Sequence, residues 1–390
     1  MKWKVLLLIP LIFLMSGCYN YRDLNDLAIV SGISIAKSQE GYEVSLLVVN
    51  PKKQTDSSGS EEPDFIVYKG VDSSIGRAIR KITLESPKQL YLAHMNLLMI
   101  DESVAKNDLG NVLDFFARNP EIRDEFYVVI GRDKDILSIT TPLENISSEN
   151  ILDTLKVTSN YLGYTNMVTY QDLLHRYLNP YLELAISSVK IHGNREIGNT
   201  TDNIKNTERD AYSIVSGIAI FKDNHLVGYL NDDDALVYNI VTNQTNNFLV
   251  KTNYDNKNFF VAEILESDTD VEIDVFHKKI SIQLHGRATL SEENITEKLD
   301  KNKIIDSFQN AMNHTIEDMV LDSVSHTIQK YHTDIYGFHN IVYQNNPKYI
   351  KSLKKSWNDK VLEDFSIDVT SSIRIVEKGN LSGGIVHESK

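Results

Sequence analysis

The chain has one cysteine, Cys18, among its 390 residues. No intramolecular disulfide can form, so the fold must rest on its hydrophobic core. Long apolar runs are lacking as well. The leading one, Val5 to Met15, covers 11 residues, whereas a membrane-spanning helix needs roughly 20. Basic residues are in deficit: 40 Lys and Arg stand against 54 Asp and Glu, for a net charge of −14. That balance speaks against nucleic acid as a partner, because phosphate binding needs clustered Lys and Arg. Enzyme signatures are absent too. There is no GxSxG, no HExxH, no P-loop and no GxGxxG after a strand. The 11 histidines are scattered. His326 and His332 stand six apart, His285 lies beside Gly286 in a strand, and His94 falls in an apolar strand; each reads as a core or surface histidine. The run Asp232-Asp233-Asp234 lacks the spaced ligands and closing Glu of a calcium loop, so it reads as a solvated turn. No catalytic residue, metal ligand or cofactor is expected.

What is present begins at the amino terminus. Lys2 and Lys4 precede the short apolar run, and Leu14-Met15-Ser16-Gly17-Cys18 ends it. This is a secretory leader closing on a lipobox-like pattern, with cleavage between Gly17 and Cys18. The Cys18 sulfur would carry the diacylglycerol, and its freed amine an acyl chain such as palmitate. An ordinary leader with an incidental cysteine is the competing reading. Each buried methylene contributes about 0.8 kcal/mol, and two chains suffice for stable attachment. The mature protein would then sit on the outer face of a membrane without spanning it. Losing Lys2 and Lys4 with the leader takes the net charge from −14 to −16. Such a body should be repelled by anionic headgroups.

Hydrophobic periodicity organises the rest. Residues 1–17 are the leader and 18–190 an N-terminal region. Within it, Ala28 to Ala36 and Tyr42 to Val49 read as a hairpin, and 55–63 as a mobile loop. Ile75, Ala78, Ile79 and Ile82 fall at helical spacing, as do Leu109, Val112, Leu113 and Phe116. Leu90 to Ile100 and Phe126 to Ile130 read as buried strands. This alternation argues for a mixed α/β layer with a parallel component. Thr141 to Glu144 resembles a capping box. Residues 191–212 are nearly all polar and read as a linker or long exposed loop. A C-terminal α+β domain follows over 213–380, and 381–390 is a tail. Its opening hairpin flanks Asp223-Asn224. Ile305, Phe308, Met312, Ile316, Met319 (or Val320), Val324 and Ile328 mark a long amphipathic helix, and 367–375 a half-buried strand. The strings VSGISIAK (30–37) and VSGIAIFK (215–222) echo each other. Coincidence between two hairpin strands is the favoured account.

Two features have open readings. Tyr331, Tyr336, Phe338, Tyr343, Tyr349 and Trp357 crowd one region, either as an interface anchor or as a tyrosine-rich core. Arg22, Asp23, Asn25 and Asp26 lie nearest the anchor and are candidate membrane-proximal interaction residues; a plain tether accounts for them equally.

Four blocks resemble the Ger(x)C family, the lipoprotein C subunits of spore germinant receptors. They are Arg22 to Ile35 after the lipobox, Gly76 to Ile100 with Val112 to Ile130, Ser216 to Leu230, and Thr333-Asp334-Ile335-Tyr336-Gly337-Phe338. Two departures stand out: Tyr19 where the family often has tryptophan, and His339 where a second glycine is usual. The resemblance implies three sheet-plus-helix domains of mixed α/β and α+β type. It also implies a non-enzymatic role beside membrane A and B subunits, on the outer face of the spore inner membrane. A lipid-anchored solute-binding protein is the alternative, and a surface enzyme ranks third.

Overall fold

The computed structural model describes residues 26–50, 63–141, 146–205, 207–254, 258–294, 301–353 and 357–377. Its first half is a nine-stranded mixed sheet. The strands are β1 (Leu27–Ser38), β2 (Gly41–Val49), β3 (Phe65–Asp72), β4 (Gln89–Tyr91), β5 (Leu97–Asp101), β6 (Tyr127–Gly131), β7 (Ala185–Gly193), β8 (Ala211–Lys222) and β9 (His225–Leu230). Their order is β3-β2-β1-β5-β6-β7-β8-β9, with β4 pairing to the start of β1. β1, β5, β6 and β7 run parallel, as the alternating pattern predicts.

Both faces of this sheet are covered. Helices α1 (Ile75–Ile82), α2 (Glu102–Ala105) and α3 (Leu109–Arg118) lie on one face. Ile79 and Ile82 of α1, with Val112 and Phe116 of α3, pack there on Val44, Leu46, Leu98, Ile100, Val128 and Ile130. On the other face, Ile151, Leu152 and Leu155 of α4 (Ser147–Tyr161) meet Leu47, Leu97, Met99 and Val129. Successive strand residues therefore enter opposite cores, which is why these strands read as unbroken apolar runs.

The expected strand from Leu90 to Ile100 is two strands. β1 bulges between Val30 and Gly32, and the Asn96 N–H bonds the Ser31 carbonyl there, so β4 and β5 pair on either side of the irregularity. β8 is bulged too, where Ser216 and Gly217 oppose Ser188 and Gly217 takes φ +73°. The echoed VSG strings thus mark one local device in two strands.

The second half is a four-stranded sheet of β10 (Phe248–Asn253), β11 (Phe259–Asp274), β12 (Lys279–Glu293) and β13 (Ser366–Glu377). Its inner face carries Phe248, Phe260, Ile264, Ile282 and Leu284. Helix α8 (Lys301–Tyr331) covers that face with Phe308, Met312, Ile316, Val320, Val324 and Ile328, the stripe its periodicity predicts. Intervening helices are α5 (Tyr170–Leu178), α6 (Arg195–Gly198) and α7 (Asp232–Val241). Gln309, Asn313 and Glu317, one helical turn apart on α8, bond the edge backbone of β13 at Ile375, Ile373 and Ser371. This polar row occupies an edge that would otherwise be free to pair.

The expected mixed α+β class is what these two sheets form. The third body implied by the resemblance has no sheet of its own among the described residues. β7, β8 and β9 continue the first sheet across a seam where β6 and β7 pair only at Ile130–Ser188 and Gly131–Val189. β8 and β9, read from sequence as the opening of a C-terminal domain, are shared. Ala219 and Phe221 enter the first core, while Ile218 and Ile220 enter the second. The polar stretch 191–212, expected as a linker or exposed loop, joins β7 to its antiparallel neighbour β8, and its described residues are folded. Asn203 is buried within it, and its amide bonds both the N–H and the carbonyl of Ala211.

Candidate functional site

Gly17, Cys18, Arg22, Asp23 and Asn25 lie outside the described residues, as do 55–62 of the expected mobile loop and Pro142 to Glu144 of the capping box. Asp26 is exposed and directly precedes β1. His94, expected in a strand, is exposed between β4 and β5 with its ring edge-on to Tyr91. The three aspartates 232–234, expected in a solvated turn, are the first turn of α7, where carboxylates favour the helix dipole. Two of them are engaged: Asp232 accepts from Ser216 Oγ and Asp234 from Ser323 Oγ. Among the described residues no group of three or more His, Cys, Asp or Glu is arranged to hold a metal.

The late motif builds a buried polar node. α8 ends at Tyr331, and Thr333 then donates its hydroxyl to the Phe221 carbonyl of β8. The next residue, Asp334, is 2% exposed. Its Oδ1 accepts the N–H groups of Gly337 (3.0 Å) and Phe338 (3.1 Å). Its Oδ2 accepts the His339 N–H (2.6 Å) and Trp357 Nε1 (2.9 Å). The carboxylate thus caps α9 (Phe338–Asn345), whose N-cap Gly337 sits at φ +82°. A left-handed residue there is why the motif carries glycine.

A second acid completes the node. Glu183, 9% exposed, lies between α5 and β7. Its Oε2 accepts the Asp223 N–H (3.0 Å), and its Oε1 accepts Asn358 Nδ2 (2.5 Å). Asn358 Oδ1 in turn accepts the Asp334 N–H (3.0 Å). Burial pushes the Glu183 carboxyl up to about 7, against the hydrogen bonds from Asp223 and Asn358. Burial also pushes Asp334 up to about 6, despite its four donors. The node ties the start of β7 and the β8–β9 turn to the segment after α8, so it is the clasp between the two sheets.

The aromatic cluster resolves into core and clasp. Tyr336, Phe338 and Trp357 are buried in the second core. Tyr343 stacks on Tyr181 of the first half at 3.9 Å, and Tyr331 donates its hydroxyl to the Tyr229 carbonyl of β9. His339, one of the two departures, stacks on Trp357 at 5.0 Å and meets Tyr181 edge-on. Burial drops its imidazole to about 4, so it is neutral at physiological pH and acts as an aromatic spacer. Glu183 and Asn358 were not singled out from sequence. The available signal was a lone acid inside the apolar stretch YLELAI, a pattern that demands a buried partner.

The second resemblance block converges elsewhere. A groove of about 620 Å³ runs between α1 and α3, bordered by Ser74, Gly76, Phe115, Arg118, Asn119 and Pro120. Its lining mixes apolar Ile75 and Phe115 with polar Ser73, Ser74, Asn111 and Asp114.

Two family models match in order. "Spore germination protein N-terminal domain" covers residues 20–191, and "Spore germination B3/ GerAC like, C-terminal" covers 216–379. Spore germination protein KC of Bacillus subtilis (strain 168) is 26% identical, over 99% of this chain and 98% of that protein. Spore germination protein B3 of the same organism is 22% identical, over 94% and 95%. The crystal structure of the GerBC protein shares the fold, with a TM-score of 0.52 and 16% identity over 88% of this chain and 97% of that one. With both halves matched in order and the fold shared, the chain belongs to the Ger(x)C family of spore germination proteins.

Proposed function

We propose that this protein is the lipid-anchored, non-enzymatic C subunit of a spore germinant receptor. It is held through Cys18 on the outer face of the spore inner membrane and assembles with membrane A and B subunits. The observation that carries this reading is continuity. A lipobox ends on the sole cysteine, and the N-terminal family match begins two residues later. No helix among the described residues is long and apolar enough to cross a membrane, which is compatible with attachment through Cys18. The clasp supports a scaffolding role, because it holds two sheets in one fixed relation for partners to read. Arg22, Asp23, Asn25 and Asp26 are proposed as the partner-facing segment nearest the bilayer.

The test is a pull-down of the tagged protein from detergent-solubilised spore inner membranes, wild type beside Cys18→Ala. Recovery of a multi-pass protein and an A-type subunit with wild type is the expected result. Recovery of neither, with wild type still membrane-bound, would sink the scaffold reading.

A second reading, solute binding, is favoured by one observation, the groove between α1 and α3. It expects a saturable rise in melting temperature with the ligand. Gly76→Leu would fill the groove and abolish that rise.

A further inference from the structure

A second concavity, of about 250 Å³, opens at the seam between the two halves, beside the diverging starts of β6 and β7. Its lining includes Asn166 and Val168, then Asp172, His175 and Arg176 of α5, and Gln244 after α7. The floor is a segment inserted between the two strands. The Val168 carbonyl accepts the Val128 N–H (2.9 Å), and Asn166 Nδ2 donates to the Ala185 carbonyl (2.9 Å). The Asn166 N–H and Oδ1 both meet Ser187 Oγ, at 2.7 and 2.8 Å. Gln244 is held from the other half. Its N–H bonds the Asn239 carbonyl at 2.7 Å, and its neighbour Asn243 bonds both the N–H and the carbonyl of Thr269 in β11. The walls are thus fixed by the fold, and preorganised walls lose little freedom when a ligand arrives.

Arg176 says what the cleft can hold. It is half-buried, and its Nη1 donates to the Glu183 carbonyl at 3.2 Å. The acids nearest to it in sequence are committed elsewhere. Glu183 directs its carboxylate to Asp223 and Asn358. Asp172, one helical turn back, accepts the Thr169 hydroxyl (2.6 Å) and N–H (3.2 Å) on Oδ2. The guanidinium therefore forms no ion pair among the described residues, in a chain with 54 acids against 40 bases. A basic residue in a last turn favours the helix dipole, which explains its sign but not its place in a cavity wall. An unpaired guanidinium fork matches a carboxylate, two N–H groups to two oxygens. His175 and Gln244 border the same space and can add donors. Asp172 acts in the opposite sense, because its charge repels a second anionic group. The volume falls below the roughly 300–1,000 Å³ of pockets for drug-sized ligands, so the occupant is small.

We propose that this cleft binds a small monocarboxylate, with its two oxygens on Arg176 and its short apolar end towards Val168. The contacts come from both halves, α5 on one side and Gln244 on the other, so the bound ligand braces the same seam that the clasp holds. The site is separate from the groove between α1 and α3. It uses neither Cys18 nor a membrane partner, so it stands or falls apart from the receptor-subunit reading.

The probe is propionate, added to the full chain in detergent and a buffer free of other carboxylates. Saturation-transfer NMR should show contact between the protein and the propionate methyl that saturates in the millimolar range, and the melting temperature should rise with it. Arg176→Gln should abolish both effects. Arg176 also bonds the Glu183 backbone, so Gln244→Ala, an exposed position on the opposite wall, supplies a second variant and should weaken binding severalfold. Succinate, which carries a second carboxylate, should bind severalfold more weakly than propionate. Asp172→Asn keeps an acceptor for Thr169 and should remove that difference. Gly76→Leu, which fills the other groove, should change nothing. The proposal is overturned if wild type gives no saturable signal, if the signal persists in folded Arg176→Gln or is unchanged in Gln244→Ala, or if Gly76→Leu abolishes it. Equal affinity of wild type for succinate and propionate also overturns it, since Asp172 would then not face the ligand.

Discussion

Asp334 and Asp274 each gather neighbouring backbone N–H groups onto one carboxylate. Asp334 collects those of Gly337, Phe338 and His339, and Asp274 those of Phe276 and His277. Each also takes a ring N–H or ring nitrogen, from Trp357 in one case and His277 in the other. Their electrostatics nevertheless differ in sign. Asp274, in solvent, is held below the usual carboxylate range, chiefly by the hydrogen bond from His277. Asp334 is pushed up to about 6 because burial outweighs all its donors. The same local geometry therefore yields a surface turn lock in one place and a costly, highly specified joint in the other. Desolvation, more than hydrogen-bond number, decides which.

The contrast is broken most severely at Asp334 itself. Asp334→Ala leaves three backbone N–H groups and the Trp357 indole buried without an acceptor. Unpaired buried donors cost about 1–3 kcal/mol each, partly offset by relaxation, so a loss of roughly 3–5 kcal/mol is expected. Urea denaturation should show it as a large drop in midpoint. Asp334→Asn, which keeps one acceptor oxygen, should fall between. Asp274→Ala should leave the midpoint in place. If both alanine variants cost the same, burial is not what separates the two sites.

Glu183 sharpens the comparison through pH. Its carboxyl moves from 4.5 to about 7 in the folded protein, so the folded state binds more protons than the unfolded state between those values. Stability from this group is present below its ordinary value and is lost as pH rises through about 7. The shift corresponds to about 3 kcal/mol at most. Asp334 contributes with the same sign over a lower window, ending near 6. His339, whose imidazole drops from 6.5 to about 4, contributes with the opposite sign over the lower part of this range. The midpoint of wild type should therefore show only a shallow net fall from pH 5 to pH 7.5. Glu183→Gln should flatten that slope, whatever it does to absolute stability. An unchanged slope would show that Glu183 keeps an ordinary carboxyl in the folded chain.

How much of this was legible in the sequence differs between the two halves of the node. The stripe on α8 and the helical faces of α1 and α3 were readable because one residue in three or four must be apolar to reach a core. The motif at 333–338 was visible as a resemblance, and Gly337 has a physical reason to be there. Glu183, Asn358 and Asp223 come from three separate stretches, and no periodicity marks a side chain that meets its partner 175 residues away. The continuity of the first sheet through β8 was hidden for a related reason. Residues 191–212 are polar because they cover an edge of β8 through Asn203, and composition alone reads that as a linker. The tip at Phe276 was unreadable because exposure of a single apolar residue leaves no pattern.

A smaller effect is expected at Gly337. An alanine there must hold φ +82°, which costs an L-residue about 1–2 kcal/mol. Its methyl would stand 3.4 Å from the end of the Leu182 side chain, at the edge of ordinary contact, so the backbone conformation sets the cost. The melting temperature of Gly337→Ala should drop modestly, and the pH slope set by Glu183 should persist. Loss of that slope would mean that the α9 cap and the Glu183–Asn358 bond open together, making the node one cooperative unit.

The smallest effect is expected at the other member of the pair. Phe276 is 85% exposed, so burial on folding contributes almost nothing through its ring, and Asp274 accepts its backbone N–H, which serine also supplies. Phe276→Ser should leave stability unchanged within about 0.5 kcal/mol, as surface substitutions do. A loss of about 1 kcal/mol or more would show that the ring packs against the protein in solution. The turn would then be a second buried joint like Asp334. An unchanged midpoint leaves an aromatic whose position is fixed by the fold and whose contribution to the fold is nil.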